Sequence, residues 1–199
     1  SDLSKSTVYD IAVDALNFEI PLVEGADGMH LLELFHGPTA AFKDVGARMM
    51  SRLLQSVSDE KLTVLVATSG DTGSAVAQGF LDVEGIDVVI LYPSGRISHI
   101  QEQQLTTVGR NVTALEILGS FDDCQSLVKR AFEDQEIQQN RPLTSANSIN
   151  IGRWLPQSIY YAWASAQLNG PARFVVPSGN FGNIAAGVLA QKMGVPIHS

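Results

Sequence analysis

The chain has 199 residues, with 13 Lys+Arg against 21 Asp+Glu for a formal net charge of −8, 45% hydrophobic residues and 17% charged ones. That balance fits a globular fold rather than a disordered chain, and its acidity excludes a nucleic-acid partner, which would need a basic stripe. The single cysteine, Cys124, leaves neither an intrachain disulfide nor a cysteine metal cluster; no apolar run reaches the ~18 residues of a membrane helix and the first ten residues carry no signal-peptide core, so a cytoplasmic protein with no membrane partner is expected.

In chain order, the hydrophobic pattern predicts a helix over residues 8–16, a strand over 30–35, and a helix over 45–57 with Val45, Met49, Leu53 and Val57 on one face. A strand over 62–67, a helix over 73–81, a strand over 87–92, a helix over 98–108, a strand over 111–115 and a helix over 121–132 follow. A long aromatic helix over 153–168, a strand over 173–176 and a helix over 183–193 that stops at Gly194 and Pro196 complete the reading. Short apolar runs alternating with amphipathic ones indicate an α/β fold, three-layer αβα, with parallel sheets and right-handed crossovers. The stretch from Leu62 to about Leu143 forms a self-contained βαβα pattern, and no Pro/Gly/Ser linker bounds it. The expected organisation is therefore a small α/β domain over 46–145 inserted into a larger domain built from 1–45 and 146–199.

Four segments hold candidate chemistry. The first, at 33–44, ends a strand in a Gly-Pro turn and presents Lys43 in an apolar setting. An exposed lysine, with a pKa of about 10.4, is a poor nucleophile; desolvation would lower that value and make a Schiff base feasible. A solvated lysine at a helix start is the plain alternative, although a cation at a helix N-terminus is electrostatically unfavourable. The second, Ser69-Gly70-Asp71-Thr72-Gly73, follows a strand and opens a helix, so its amides and hydroxyls suit a carboxylate or phosphate; a capped βα turn accounts for the same residues. The third, Gly179-Asn180-Phe181-Gly182-Asn183, does the same after the last strand. It lacks the G-x-G-x-x-G spacing of a dinucleotide loop and the Lys-Ser/Thr pair of a Walker loop, so a phosphate monoester fits it best, again beside a capped turn. The fourth runs through Asn147, Ser148, Asn150 and Arg153, an amide-rich approach to a helix with one arginine suited to bidentate anion binding. Its alternative is an N-capped helix with a surface arginine. His30, His36, His99 and His198 match no metal-ligand spacing, and no metal is expected.

Taken in order, ELFHGPTAAFKD (33–44), ATSGDTGSA (67–75), YPSGRIS with QEQQL (92–105), NSIN with the downstream Arg153, and PSGNFGN (177–183) resemble the threonine synthase family of fold-type II pyridoxal-phosphate enzymes. The resemblance implies a tryptophan-synthase-β-like fold with pyridoxal 5'-phosphate as cofactor. It also implies conversion of O-phospho-L-homoserine and water to L-threonine and phosphate. It makes Lys43 the Schiff-base lysine and proton shuttle, puts the cofactor phosphate on Gly179, Asn180, Phe181, Gly182 and Asn183, and sends the substrate carboxylate to Ser69, Gly70, Thr72 and Gly73. Asn147, Ser148, Asn150 and Arg153 match the part that holds the substrate phosphate. Asp71 stands near where many fold-type II enzymes carry an asparagine beside the cofactor's phenolic oxygen, and its role is left open. Family members are longer at both ends, so an N-terminal domain and the rest of the large domain are expected to lie outside these residues, leaving that domain incomplete and a sheet edge that favours self-association. A related phospho-lyase yielding a 2-oxo acid and phosphate, another fold-type II dehydratase or cysteine synthase, and a non-catalytic α/β unit are the competing readings.

Overall fold

The computed structural model of the chain describes residues 3–58 and 60–198. Its principal sheet has four strands, β3 (Leu62–Ala67), β4 (Ile86–Pro93), β5 (Val112–Ile117) and β6 (Leu143–Ser145), all parallel and ordered β5-β4-β3-β6. The register aligns Val64 with Val88 and Thr144, and Val88 with Val112. The β3 sequence Leu-Thr-Val-Leu-Val-Ala is apolar on both faces, as a strand covered by helices on both sides must be. Val64 and Val66 pack with Met50, Val76, Phe80 and Leu105, contributed by α2 (Lys43–Val57), α3 (Asp71–Gly79), the turn after it and α4 (His99–Thr106). Leu65 and Ala67 face the other way, onto Cys124 and Val128, one turn apart on α5 (Phe121–Glu133). Three layers result, with the main core between the sheet and α2–α4.

Local chemistry fixes the helix starts. Ser98 and Ser120 each close a capping box, with Gln101 and Asp123 at the third helical position. The first helix, α1 (Lys5–Ala15), is capped by Ser4, whose hydroxyl accepts from Thr7 N–H at 3.1 Å. Its far end is closed by a neighbour: Arg48 Nε donates to the Ala15 carbonyl at 2.6 Å and Nη2 to that of Asp14 at 3.1 Å. Arg52 adds an ion pair to Asp14 at 2.7 Å.

The structure departs from the sequence reading outside this sheet. The strand expected over 30–35 shrinks to β2 (His30–Leu32), which pairs antiparallel with an unforeseen β1 (Leu22–Glu24). The helix expected over 153–168 is split into α7 (Ile151–Trp154), a 3₁₀ turn at Leu155–Gln157 and α8 (Ser158–Ala166). Pro156 lies in that turn, where its missing N–H and its ring cannot continue an α-helix. The strand expected over 173–176 does not form; just before it, Ala172 makes an isolated parallel bridge to Ile197. The alternation of the segment survives: Phe174 and Val176 pack toward Tyr161 and Ala186, whereas Val175 is 92% exposed. The polar α6 (Gln135–Asn140) and the three-residue β6 were not foreseen, and the closing helix α9 (Gly182–Lys192) was.

Candidate active site

The carboxyl ends of β3 and β6 and the first turns of α2, α3 and α9 converge on one cavity of about 360 Å³. Ligands of open α/β sheets bind at this end of the strands.

Lys43 is the first residue of α2. The turn before it is held from inside the helix by Asp44, which is almost fully buried and accepts from Thr39 N–H at 2.9 Å and Thr39 Oγ1 at 2.6 Å. A Cβ at Gly37 would lie 2.5 Å from Asp44 Oδ2, so the Gly-Pro turn packs on that carboxylate only as glycine. The acid also complements the positive end of α2. The Lys43 side chain is 24% exposed; its Nζ lies 3.3 Å from Asp71 Oδ2 and 5.0 Å from the centroid of the Phe42 ring. The apolar setting expected for this lysine is thus corrected to one that pairs an aromatic face with a carboxylate, because the end of β3 delivers Asp71 to the same cavity.

Asp71 opens α3 and also accepts from Gln101 Nε2 at 2.6 Å. Partial burial pushes its carboxyl up, but the Gln101 amide and the Lys43 ammonium outweigh that and hold it below the ordinary aspartate value. In the same loop Thr68 is buried, and its Oγ1 accepts from the Gly70 and Gly73 amides at 3.0 and 2.9 Å. Those two donors are therefore spent within the loop. Ser69, Gly70, Asp71 and Thr72 line the cavity, whereas Gly73 lies behind it, where a Cβ would come within 2.5 Å of Thr68 Cγ2 and 2.9 Å of Leu105 Cδ2.

Gly179, Asn180, Phe181, Gly182 and Asn183 line the opposite wall. Phe181 takes a left-handed φ of 57°, turning the chain into α9, and as the N-cap residue it makes no side-chain cap itself. The Asn183 side chain braces the loop from below: Nδ2 donates to the Pro177 carbonyl at 2.9 Å, and Oδ1 accepts from the Ser178 hydroxyl and from Ile184 N–H. Its carbonyl accepts from Tyr161 Oη at 2.7 Å. Burial pushes the Tyr161 phenol up to about 12 and raises that of the adjacent Tyr160 as well, so both stay neutral donors.

The fourth segment is more structural than its motif implied. Asn147 uses its side-chain amide as a strand surrogate, donating to the Ala67 carbonyl at 2.8 Å and accepting from Ala67 N–H at 3.2 Å. Asn150 stands outside the cavity and caps α7, accepting from Gly152 N–H at 2.9 Å while donating to the Ser145 carbonyl at 2.8 Å. Arg153, expected at the surface if it were not a ligand, is 3% exposed at the cavity floor. Its Nε donates to the Ala146 carbonyl at 2.8 Å and its Nη1 to the Lys43 carbonyl at 3.2 Å. Burial lowers its pKa to about 10, and Asp44 opposes the shift. Ser148 lines the cavity beside Gly182.

Two glutamines of the site were not foreseen. Gln157 is buried, donates to the Arg153 carbonyl at 3.0 Å and accepts from Tyr160 Oη at 3.1 Å. Gln101 was legible as the partner of Ser98 in an S-x-x-Q capping box, but nothing in that pattern aims its amide at Asp71.

Residues 24–197 match the family described as pyridoxal-phosphate dependent enzyme. A threonine synthase of Buchnera aphidicola subsp. Acyrthosiphon pisum is 47% identical over 100% of this chain and 48% of its own length. The crystal structure of threonine synthase from Escherichia coli superposes with a TM-score of 0.90 at 45% identity, over 98% of this chain and 47% of that one. A PLP-bound threonine synthase from Brucella melitensis superposes with a TM-score of 0.88 at 42% identity, over 96% and 44%. This chain spans about half the length of the curated relatives it matches. Because the family match runs over most of the chain and takes in Lys43 and both glycine loops, the chain belongs to the pyridoxal-phosphate-dependent enzymes.

Proposed function

We propose that the chain carries the cofactor site and the phosphate cradle of a threonine synthase, acting on O-phospho-L-homoserine and water to give L-threonine and phosphate. The observation that carries this reading is the convergence of Lys43, the start of α9 and Arg153 on one cavity, in a chain 47% identical to a threonine synthase throughout. The residues fit pyridoxal 5'-phosphate. The cavity is within the usual size of cofactor sites, the α9 N-terminus offers a phosphate the first-turn amides that Asn183 Oδ1 does not occupy, and a Cβ at Gly179 would meet nothing within 4 Å, leaving the loop backbone open to an anion. Gly179, Asn180, Phe181 and Gly182 would hold the cofactor phosphate, with Asn183 bracing them. Bound there, the cofactor supplies an electron sink for the charge developed on the substrate carbons.

The chain's own residues do the rest. Lys43 Nζ, on the first turn of a rigid helix, takes and returns protons at the substrate carbons, and Asp71 beside it steadies that nitrogen. The Ser69–Thr72 loop receives the substrate carboxylate through the amides that Thr68 does not occupy. Arg153 and Ser148 draw the leaving phosphate; Arg153 does so by its charge and by the guanidinium N–H groups beyond the two bonded to carbonyls. The 46–145 segment serves as the smaller domain in this reading. Self-association belongs to it too: Met29, Leu31, Phe35 and Val175 are exposed around an apolar cleft of about 920 Å³. Light scattering on a sizing column should show mass rising with concentration, and a constant monomer mass would contradict that part.

The test of function is turnover of O-phospho-L-homoserine by the chain supplied with pyridoxal phosphate. Threonine and phosphate should appear in equal amounts, and Lys43→Ala should abolish both. Phosphate with a 2-oxo acid in place of threonine would favour the phospho-lyase reading; absence of phosphate release would remove the activity from this chain.

A further inference from the structure

A carboxylate inside an anion-binding cavity is a liability, because it repels the groups the cavity is built to receive. Asp71 is such a carboxylate. It lines the cavity, and it belongs to the loop that would take the substrate carboxylate, the reading on which this inference rests. Its two oxygens are engaged by different elements: Oδ2 by Lys43 Nζ from α2 at 3.3 Å, and Oδ1 by Gln101 Nε2 from α4 at 2.6 Å. Whenever the lysine nitrogen is engaged elsewhere, the Gln101 amide is the side-chain donor that still holds Asp71 in place.

The Gln101 amide is itself fixed at its other end. Its Oε1 accepts from Ser98 N–H and from Ser98 Oγ, both at 3.1 Å, and Gln101 N–H returns a bond to Ser98 Oγ at 3.3 Å. Gly70, at φ 151°, makes room for it; a Cβ there would lie 2.5 Å from Gln101 Nε2. The amide is therefore oriented unambiguously, oxygen toward the cap and nitrogen toward Asp71. We propose that Gln101 is a positioning residue, which orients the Asp71 carboxylate and, through it, the Lys43 nitrogen, so that the start of α4 is coupled to the reacting amine.

The capping box provides the means to test this apart from fold. Gln101→Glu keeps an oxygen for the Ser98 cap, since Glu serves at that position as well as Gln does. It removes the donor to Asp71 and sets a second negative charge beside it. Ser98→Ala does the reverse, weakening the cap while leaving the amide donor. The readout is the titration of the Asp71 carboxyl carbon by NMR in the 199-residue chain, assigned through its loss in Asp71→Asn. Its midpoint should lie below the ordinary aspartate value in the wild type and rise by about one pH unit in Gln101→Glu, because a like charge disfavours ionisation. Gln101→Leu should produce a smaller rise in the same direction, and Ser98→Ala a smaller one still. An unchanged midpoint in Gln101→Glu, or an equal shift in Ser98→Ala, would overturn the proposal. The titration needs no cofactor, so failure of the threonine synthase reading would leave this result standing, and the reverse also holds.

Discussion

At the scale of single residues, Arg153 is tied to more partners than any motif around it announces. It bonds the carbonyls of Ala146 and Lys43, its own carbonyl accepts from Gln157, and α2 passes over it at Gly46. A Cβ at Gly46 would collide with the Arg153 carbonyl and lie 2.7 Å from Nη1, so glycine here sets the approach of α2 to the site floor. Gly46→Ala should therefore cost about 1–3 kcal/mol by overpacking. It should also weaken pyridoxal phosphate binding, because the displaced guanidinium supports the Lys43 carbonyl. A thermal melt and a binding titration that both match the wild type would contradict this account of Gly46. None of this was legible in the sequence. A lone arginine before an aromatic helix reads equally as ligand or surface charge, and its burial depends on partners 7 and 110 residues away. Asp71 was readable as a candidate, but its partners were not: Lys43 lies 28 residues before it and Gln101 30 residues after.

At the scale of elements, legibility followed burial symmetry. The strands β3, β4 and β5 were readable as apolar runs of six or more residues, α2 and α5 by their amphipathic spacing, and α3 and α4 by the glycine and the capping serine at their starts. The three-residue strands β1 and β6 and the six-residue helix α6, under two turns long, carry too little pattern to be distinguished from loop. The 153–168 segment shows a different failure. Its apolar spacing runs on through Pro156, so periodicity argued for one helix, while the proline's missing donor forced a 3₁₀ joint. That joint places Gln157 under Arg153 and lets α8 face Tyr160 and Tyr161 inward. The 173–176 segment has the alternation of a strand and lacks the partner that would make it one, which only pairing, not pattern, supplies.

At the scale of the whole molecule, the arrangement of elements makes the site. Four segments separated by as many as 140 residues in sequence reach one cavity: the loops at the carboxyl ends of the parallel strands β3 and β6 supply two of them, and the starts of α2 and α9 bring the other two to the same place. The order of the motifs along the chain made that meeting predictable once an α/β fold was inferred; which donors remain free at the cavity was not, since Thr68 Oγ1 takes up the Gly70 and Gly73 amides while Asn147 and Asn183 donate their side-chain amides to neighbouring carbonyls. The central claim is that this cavity is a formed pyridoxal-phosphate site with Lys43 as its amine. It is tested most directly by incubating the chain with pyridoxal phosphate, reducing with borohydride and mapping the added mass by peptide mass spectrometry. The account predicts the label on Lys43, together with a visible absorbance band that Lys43→Ala lacks. Label spread evenly over Lys5, Lys61, Lys129 and Lys192, or no label at all, would contradict it.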